Sequence, residues 1–265
     1  MLVDSTRCSI NGSGHTFSRP VKLVDGDLML PREIITLLER EVDEEVFSYV
    51  EKTFTYTPPT FSATPRTILP KTPEPTPRPK WVVVLDPGHG GSDPGAIGPD
   101  TRVTEARLNL DIARLVADKL RARGCTVYLT RSSDIYLSLG HRVRFANNRD
   151  ADVFVSIHHN ASRDRSVRGF EVFYSKNNPN GASRLKRSVE LGKSICNSLH
   201  GRWNTRNRGC KHKSLYVTRL TSMASVLVEV EFMTCRDIEK QMTGDWFQGQ
   251  AAAGISIGIM NHLRN

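Results

Sequence analysis

From Trp81 onward, short apolar runs alternate with longer stretches of helical period, and few folds satisfy that order. Residues 82–85, 153–157 and 225–230 are apolar at nearly every consecutive position, the pattern of strands covered on both faces. Residues 126–129 and 169–174 read as two further strands. Between the strands lie helical patterns over residues 105–123, 138–148 and 182–199, and another follows Gly244. In the first of these, Leu108, Ile112, Leu115, Val116 and Leu120 share one side, Thr104 stands at the N-cap and Gly124 in the C′ position. Strands interleaved with helices of these lengths predict an α/β fold, a mainly parallel twisted sheet with helices on both faces. In such sheets functional residues gather at the carboxyl ends of the strands.

The 265 residues suffice for one such domain and a smaller unit. Residues 58–80 hold eight of the fourteen prolines. Proline fixes φ and supplies no donor, so this stretch reads as an extended, semi-rigid spacer. It separates an accessory unit, residues 1–57, from the α/β domain, residues 81–265. A loop laid on the domain surface through Phe61, Ile68 and Leu69 is the competing reading. In the accessory unit the glycines of residues 9–14 mark a turn, and Asp25-Gly26 between the apolar residues 21–24 and 28–30 marks a β-hairpin. Pro31 then opens a helical pattern with Ile34, Ile35, Leu37, Leu38 and Val42 on one side. A hairpin-plus-helix unit this short is expected to pack on the α/β domain or on a copy of itself.

No apolar stretch approaches the ~20 residues of a membrane-spanning helix. The first residues, with Asp4, Arg7 and Asn11, lack the basic and apolar regions of a secretory leader, so an export signal is not expected there. Formal charge is +9 and unevenly spread: residues 1–57 hold 6 Lys/Arg against 10 Asp/Glu, whereas residues 81–265 hold 27 against 17. A basic domain favours a polyanionic surface. The basic residues between Arg184 and Lys213, read as a helix and a loop, carry no regular aromatic interleaving, so an anionic wall polymer fits better than nucleic acid. Cys8, Cys125, Cys196, Cys210 and Cys235 form no CxxC pair. They read as buried or free thiols, with a single Cys210–Cys235 bridge left open.

Chemistry is concentrated at the strand ends. His89 follows the first apolar run in a turn of Pro87, Gly88, Gly90 and Gly91, which leaves space around an imidazole. A metal ligand needs that space, although a packed core histidine would look the same. His158 and His159 follow the run 153–157, and since side chains alternate along a strand only one can face a site. Asn160 is placed to buttress a ligand or fix a water. Glu105 opens the long helix, where a carboxylate also suits the helix dipole. Glu229 sits inside SVLVEV, and a carboxylate among valines and leucines is expensive unless paired or functional. Two imidazoles and two carboxylates make up the parts of a zinc hydrolase with three protein ligands and a general base.

Four motifs in order, DPGHGG (86–91), TEARLNL (104–110), SIHHNA (156–161) and LVEVEF (227–232), together with TRSSD, LSLGHR and RGCKHKSLYV, resemble the zinc-dependent N-acetylmuramoyl-L-alanine amidases of the amidase-3 type over residues 82–263. The resemblance implies that His89, Glu105 and His158 hold Zn²⁺ and that Glu229 is the catalytic acid/base. His159 takes the variable place of its motif. The substrate would be peptidoglycan, cleaved at the amide between N-acetylmuramic acid and the L-alanine of the stem peptide, with Asn160, Glu231 and Arg131 around the ligands or against substrate. That implies a bacterial autolysin-like hydrolase of the cell envelope or extracellular space. Residues 1–57 resemble, through INGSG, VKLV, DGDLMLP and REIITLL, the copper amine oxidase N-terminal-like repeat appended to some bacterial wall enzymes.

Two departures from the family pattern stand out. Glu231 replaces a small residue and Thr234-Cys235 an SN-like pair. On a regular strand Glu231 shares a face with Glu229 and raises its pKa by repulsion; alternatively the strand has ended and Glu231 pairs with an arginine. Between Phe173 and Leu215 there is room for one helix and a basic loop, not for the long helical insertion that blocks the zinc in some members. An open groove, a monomer and independence from an activator partner are therefore expected. Two rival readings keep the same residues: a catalytically silent wall-binding module, and another zinc hydrolase such as a peptidase or deacetylase.

Overall fold

The computed structural model describes residues 80–264 except 178, and the backbone of four short strands nearer the N-terminus. The chain divides into two compact units, Met1–Lys71 and Thr72–Asn265. In the first, β1 (Arg7–Ile10) pairs antiparallel with β2 (Ser13–Thr16), and β3 (Lys22–Val24) with β4 (Asp27–Met29). The dipeptides between the paired strands, Asn11-Gly12 and Asp25-Gly26, are sequence signals of tight hairpins and lie outside the described residues. The helical pattern after Pro31 and most of the proline-rich stretch lie outside the described residues.

The second unit is built on a six-stranded sheet. Its strands are β5 (Val82–Pro87), β6 (Thr126–Leu129), β7 (Val153–Asn160), β8 (Phe170–Tyr174), β9 (Asn207–His212) and β10 (Ala224–Phe232), in the spatial order β6-β5-β7-β10-β8-β9. The first four of that order run parallel. β8 lies antiparallel to β10, and β9 follows β8 in parallel, so the last two strands are reversed. The sheet is thus mainly parallel, as the apolar runs predict. The basic loop expected before Leu215 is instead the edge strand β9. NRGCKH has no apolar alternation, and its pairing to β8 comes from the neighbour rather than from its own pattern.

Helices cover the two faces unequally. On one side lie α1 (Glu105–Arg121), α3 (Gly181–Leu199) and α6 (Asp245–Arg264), packed over Val83, Leu85, Val155, Ile157, Val226 and Val228. Each such side chain taken from water contributes about 1.5–3 kcal/mol. On the other side the short α2 (Leu139–Asn147) and α4 (Tyr216–Leu220) cover Val82, Val84 and Phe154 through Val143, Ala146 and Val217. A further short helix, α5 (Glu239–Met242), precedes α6. The Thr104 hydroxyl accepts from Arg107 N at 3.3 Å and caps α1, which ends at Arg121, with Gly124 (φ +82°) closing the turn after it. Because α2 and α4 stop short, the carboxyl ends of the central strands stay open on their face.

One buried ion pair ties that open end to α2. Asp86 Oδ1 lies 2.8 Å from Arg142 Nη1, with both side chains almost wholly buried. Asp86 also accepts from Thr130 Oγ1 (2.6 Å) and Ser156 Oγ (2.8 Å). Burial alone would raise the Asp86 pKa, but Arg142 and these hydrogen bonds outweigh it and hold it below the usual value. Replacing Arg142 by Met strands a buried carboxylate. The expected cost is about 3–5 kcal/mol, read as a lower urea midpoint with unchanged slope. A loss under 1 kcal/mol would show the pair to be dispensable.

Candidate metal and acid/base site

The turn after β5 is held in an uncommon shape. His89 has φ +60°, a left-handed conformation costly for a residue with a Cβ, and Gly90 and Gly91 follow at +131° and +61°. Two guanidinium groups keep it there by donating to consecutive carbonyls. Arg131 donates to Pro87 O (3.0 Å), Gly88 O (2.8 Å) and Ala106 O (2.8 Å). Arg142 donates to Pro87 O (2.8 Å) and His89 O (2.9 Å). Arg131 is only 2% exposed, so it supports the backbone and does not reach substrate.

This turn delivers the His89 ring to the mouth of the sheet. His89 Nδ1 meets Asp93 Oδ2 at 2.8 Å, which fixes the ring and leaves Nε2 facing Glu105 Oε1 at 3.2 Å. His158, from the carboxyl end of β7, brings Nδ1 to the same Glu105 oxygen at 2.9 Å. The two rings stand edge to face with centroids 4.9 Å apart. Glu105 reaches the site from the first turn of α1. It accepts from Ala96 N (3.0 Å), His159 N (3.2 Å) and Asn109 Nδ2 (3.3 Å). Burial pushes its pKa up, but hydrogen bonds and charge from His158 and His89 prevail and keep it strongly lowered, hence ionised. Burial opposes the charge on His89, yet Glu105 and Asp93 together raise its pKa to about 9.

One atom each of His89, Glu105 and His158 lies within 4.8 Å of the others. Two neutralisable imidazoles and an ionised carboxylate, one ring already oriented by Asp93, are donors of the kind that share one zinc-sized ion at ~2.0–2.2 Å after a small inward adjustment. The site is also kept clear: a Cβ at Gly88 would lie 2.1 Å from the His158 ring, and one at Gly95 would lie 2.6 Å from Glu105 Oε2. The residues present therefore fit a divalent cation.

Glu229 stands beside this group. It is in register with His158 on β7 and with Glu171 on β8, so the three share one face. Its Oε2 is buried without a hydrogen-bond partner among the described residues. Burial raises its pKa to about 7, with Glu105 adding to the rise and His158 opposing it. His159 points the other way, Nδ1 meeting Asn109 Oδ1 at 2.8 Å, and burial lowers its pKa to about 4.

Two residues depart from the expected positions. Glu231 neither enters the site nor pairs with an arginine, and β10 has not ended before it. A bulge puts four residues of β10, Glu229 to Phe232, against three of β7, His158 to Asn160. The extra residue breaks the alternation. Glu231, fully buried, turns to the α3/α6 side, where Trp203 Nε1 (3.2 Å), Phe232 N (3.0 Å), Gly169 N and the Thr205 hydroxyl all donate to it. Asn160 does not touch a ligand. It donates to Glu171 Oε1 at 2.8 Å and so holds the carboxylate next to Glu229. Sequence reasoning passed over Asp93, Asn109, Asp86 and Arg142. Of these only Asn109 left a signal, a polar residue one turn after Glu105 on the apolar side of α1. Cys125, Cys196, Cys210 and Cys235 are free, which removes the Cys210–Cys235 bridge.

A cavity of about 400 Å³ opens beside the histidines, lined by Gly88, His89, Asp93, His158 and Leu227 on one side and by Tyr136, Leu139 and Tyr216 on another. Comparison with known proteins gives consistent neighbours. The family model described as N-acetylmuramoyl-L-alanine amidase (Amidase_3) matches residues 83–261. The N-acetylmuramoyl-L-alanine amidase LytC of Bacillus subtilis is 37% identical over 183 residues, 69% of this chain and 36% of that protein. The amidase AmiC of Neisseria meningitidis is 33% identical over 69% of this chain and 52% of its own length. The chain thus spans about half or less of these two curated relatives. Among solved structures, the amidase AmiC2 of Nostoc punctiforme superposes with a TM-score of 0.64 at 34% identity, covering 70% of this chain and 98% of that one.

Proposed function

The chain belongs to the Amidase_3 family of N-acetylmuramoyl-L-alanine amidases, and from that premise we propose that it hydrolyses the amide between the lactyl group of N-acetylmuramic acid and the L-alanine of the peptidoglycan stem peptide, with Zn²⁺ held by His89, Glu105 and His158. The observation that carries the reading is the convergence of those three side chains next to a buried carboxyl group with an unpartnered oxygen. Zinc bound there supplies a Lewis acid that acidifies water and polarises a carbonyl. Asp93 engages the His89 ring through Nδ1, so that Nε2 would be the nitrogen left to hold the ion. Glu229 takes the proton of the attacking water on Oε2 and returns it to the nitrogen of the departing L-alanine, which must leave protonated.

In this reading residues 81–265 are the catalytic domain, 58–80 a spacer and 1–57 an accessory unit. The protein works as a monomer at the cell envelope or outside the cell, without an activator. α3 is the one long helix among the described residues between Phe173 and Leu215, and it packs on α6 rather than over the histidines. A silent wall-binding module would need an obstruction such as Glu231, whose carboxylate lies on the opposite side of the sheet.

The test is digestion of purified peptidoglycan by zinc-loaded protein. New N-terminal L-alanine, detected by mass analysis, is expected, with loss on chelation and return on adding Zn²⁺. Cleavage within the peptide, or deacetylation with the lactyl amide intact, would replace this activity with another zinc hydrolase chemistry.

A further inference from the structure

Three cations line the reversed margin of the sheet next to Glu229. Two are already engaged: Lys211 Nζ and Arg208 Nε lie 2.6 and 3.4 Å from Glu171 Oε2. The third, Lys213, follows the end of β9 and has no carboxylate within ion-pair distance among the described residues. Its ammonium stands over the ring of Phe173, 4.9 Å from the centroid, a contact that leaves its donors free. Phe173 is in register with Leu227, and Glu171 with Glu229, so all four lie on the face of the site. Leu227 lines the cavity shared by His89 and His158, and its wall of Leu215, Tyr216 and Val217 begins two residues after Lys213. The charge of Lys213 is felt at Glu229.

The substrate is asymmetric about the bond to be cut. On one side is a neutral, N-acetylated sugar whose lactyl carboxyl is consumed in the amide; on the other is a peptide whose residues carry free acids. The tyrosines of the cavity suit the first and an unpaired ammonium suits the second. Phe173 lies two residues from Glu171 along β8, about 7 Å and therefore close to one dipeptide length. We propose that Lys213 is a specificity-determining residue that binds the carboxylate borne by the residue after L-alanine and so selects stem peptides in which that acid is free. The assignment rests on the amidase reading above and deepens it.

The test uses two N-acetylmuramoyl dipeptides that differ in one group, a free carboxylate or a carboxamide on the residue after L-alanine, with the zinc-loaded full chain and its K213M and K213R forms. Methionine keeps the apolar stem over Phe173 and removes the charge. K213M is expected to raise KM for the acid about tenfold or more with kcat within about threefold, K213R to restore most of the difference, and wild type and K213M to share one KM on the carboxamide. An equal change on both substrates, or a change confined to kcat, would assign Lys213 to the electrostatics of Glu229 and overturn the proposal. Unchanged KM on the acid would overturn it as well. A wild-type enzyme that cleaves neither substrate would instead sink the amidase reading, and this assignment with it.

Discussion

Glu229→Gln is expected to lower kcat on peptidoglycan by about 10²–10⁴-fold while bound zinc stays stoichiometric. The amide keeps the volume of the carboxyl and its place between His158 and Glu171, but cannot take a proton from water or hand one to the leaving amine. The buried, unpartnered Oε2 makes a second, independent readout. Burial raises the Glu229 pKa to about 7 in the metal-free protein, above its value in the unfolded chain. The folded state therefore holds the proton more tightly, and the stability this gives is lost as pH climbs from about 4.5, the ordinary value, to about 7. Metal-free wild type should lose more stability across that window than the Gln form, while the His89 imidazole, its pKa raised to about 9, gives both forms the same further loss at higher pH. In the active enzyme the same group gives kcat an acid limb, falling about tenfold per pH unit, and a bound dication draws that limb below 7, never above it. Turnover by the Gln form within threefold of wild type would remove Glu229 from the chemistry.

Gly88→Ala is expected to destroy the proposed metal site without removing any of the three side chains assigned to it. The added Cβ would sit 2.1 Å from Cε1 and Nε2 of His158. The backbone cannot yield easily, since Gly88 N donates to Ile157 O (3.0 Å) and Gly88 O accepts from Arg131 (2.8 Å) and Asn109 (3.2 Å). The ring must therefore swing, and its 2.9 Å contact with Glu105 goes with it. Zinc affinity should fall at least ~100-fold, with overpacking costing about 1–3 kcal/mol of stability. Titration with Zn²⁺ followed by calorimetry reads the first and thermal unfolding the second. Wild-type affinity in the alanine variant would mean that the ion does not depend on the position of His158.

The sheet and the meeting of His89, Glu105 and His158 at its rim were legible because the sequence breaks its own rules there. A histidine closing the run 153–157 and a carboxylate inside SVLVEV have no packing reason to be present, so they announce chemistry. Asp93 left no such mark. In a stretch of glycine, serine and proline an aspartate is ordinary turn material, and only the fold of the turn brings it to His89 Nδ1. Asp86 and Arg142, 56 positions apart, meet only when α2 packs across the end of β5. Glu231 was misplaced because period-two reasoning assumes a regular ladder, and the register shifts between Glu229 and Phe232. β9 was missed because an edge strand owes its conformation to its neighbour more than to its own residues.

The reversal of β8 and β9 gives the molecule two zones with different freedom to vary. His158 and Glu229 sit on adjoining interior strands, each flanked on both sides, where a changed backbone would disturb two ladders at once. Lys211 and Lys213 belong to a perimeter that touches one neighbour only, continuing into the turn toward Tyr216. Lengthening or recharging that border would redirect what the cleft accepts while the strands that carry His158 and Glu229 keep their shape, so relatives with different diets should diverge there first.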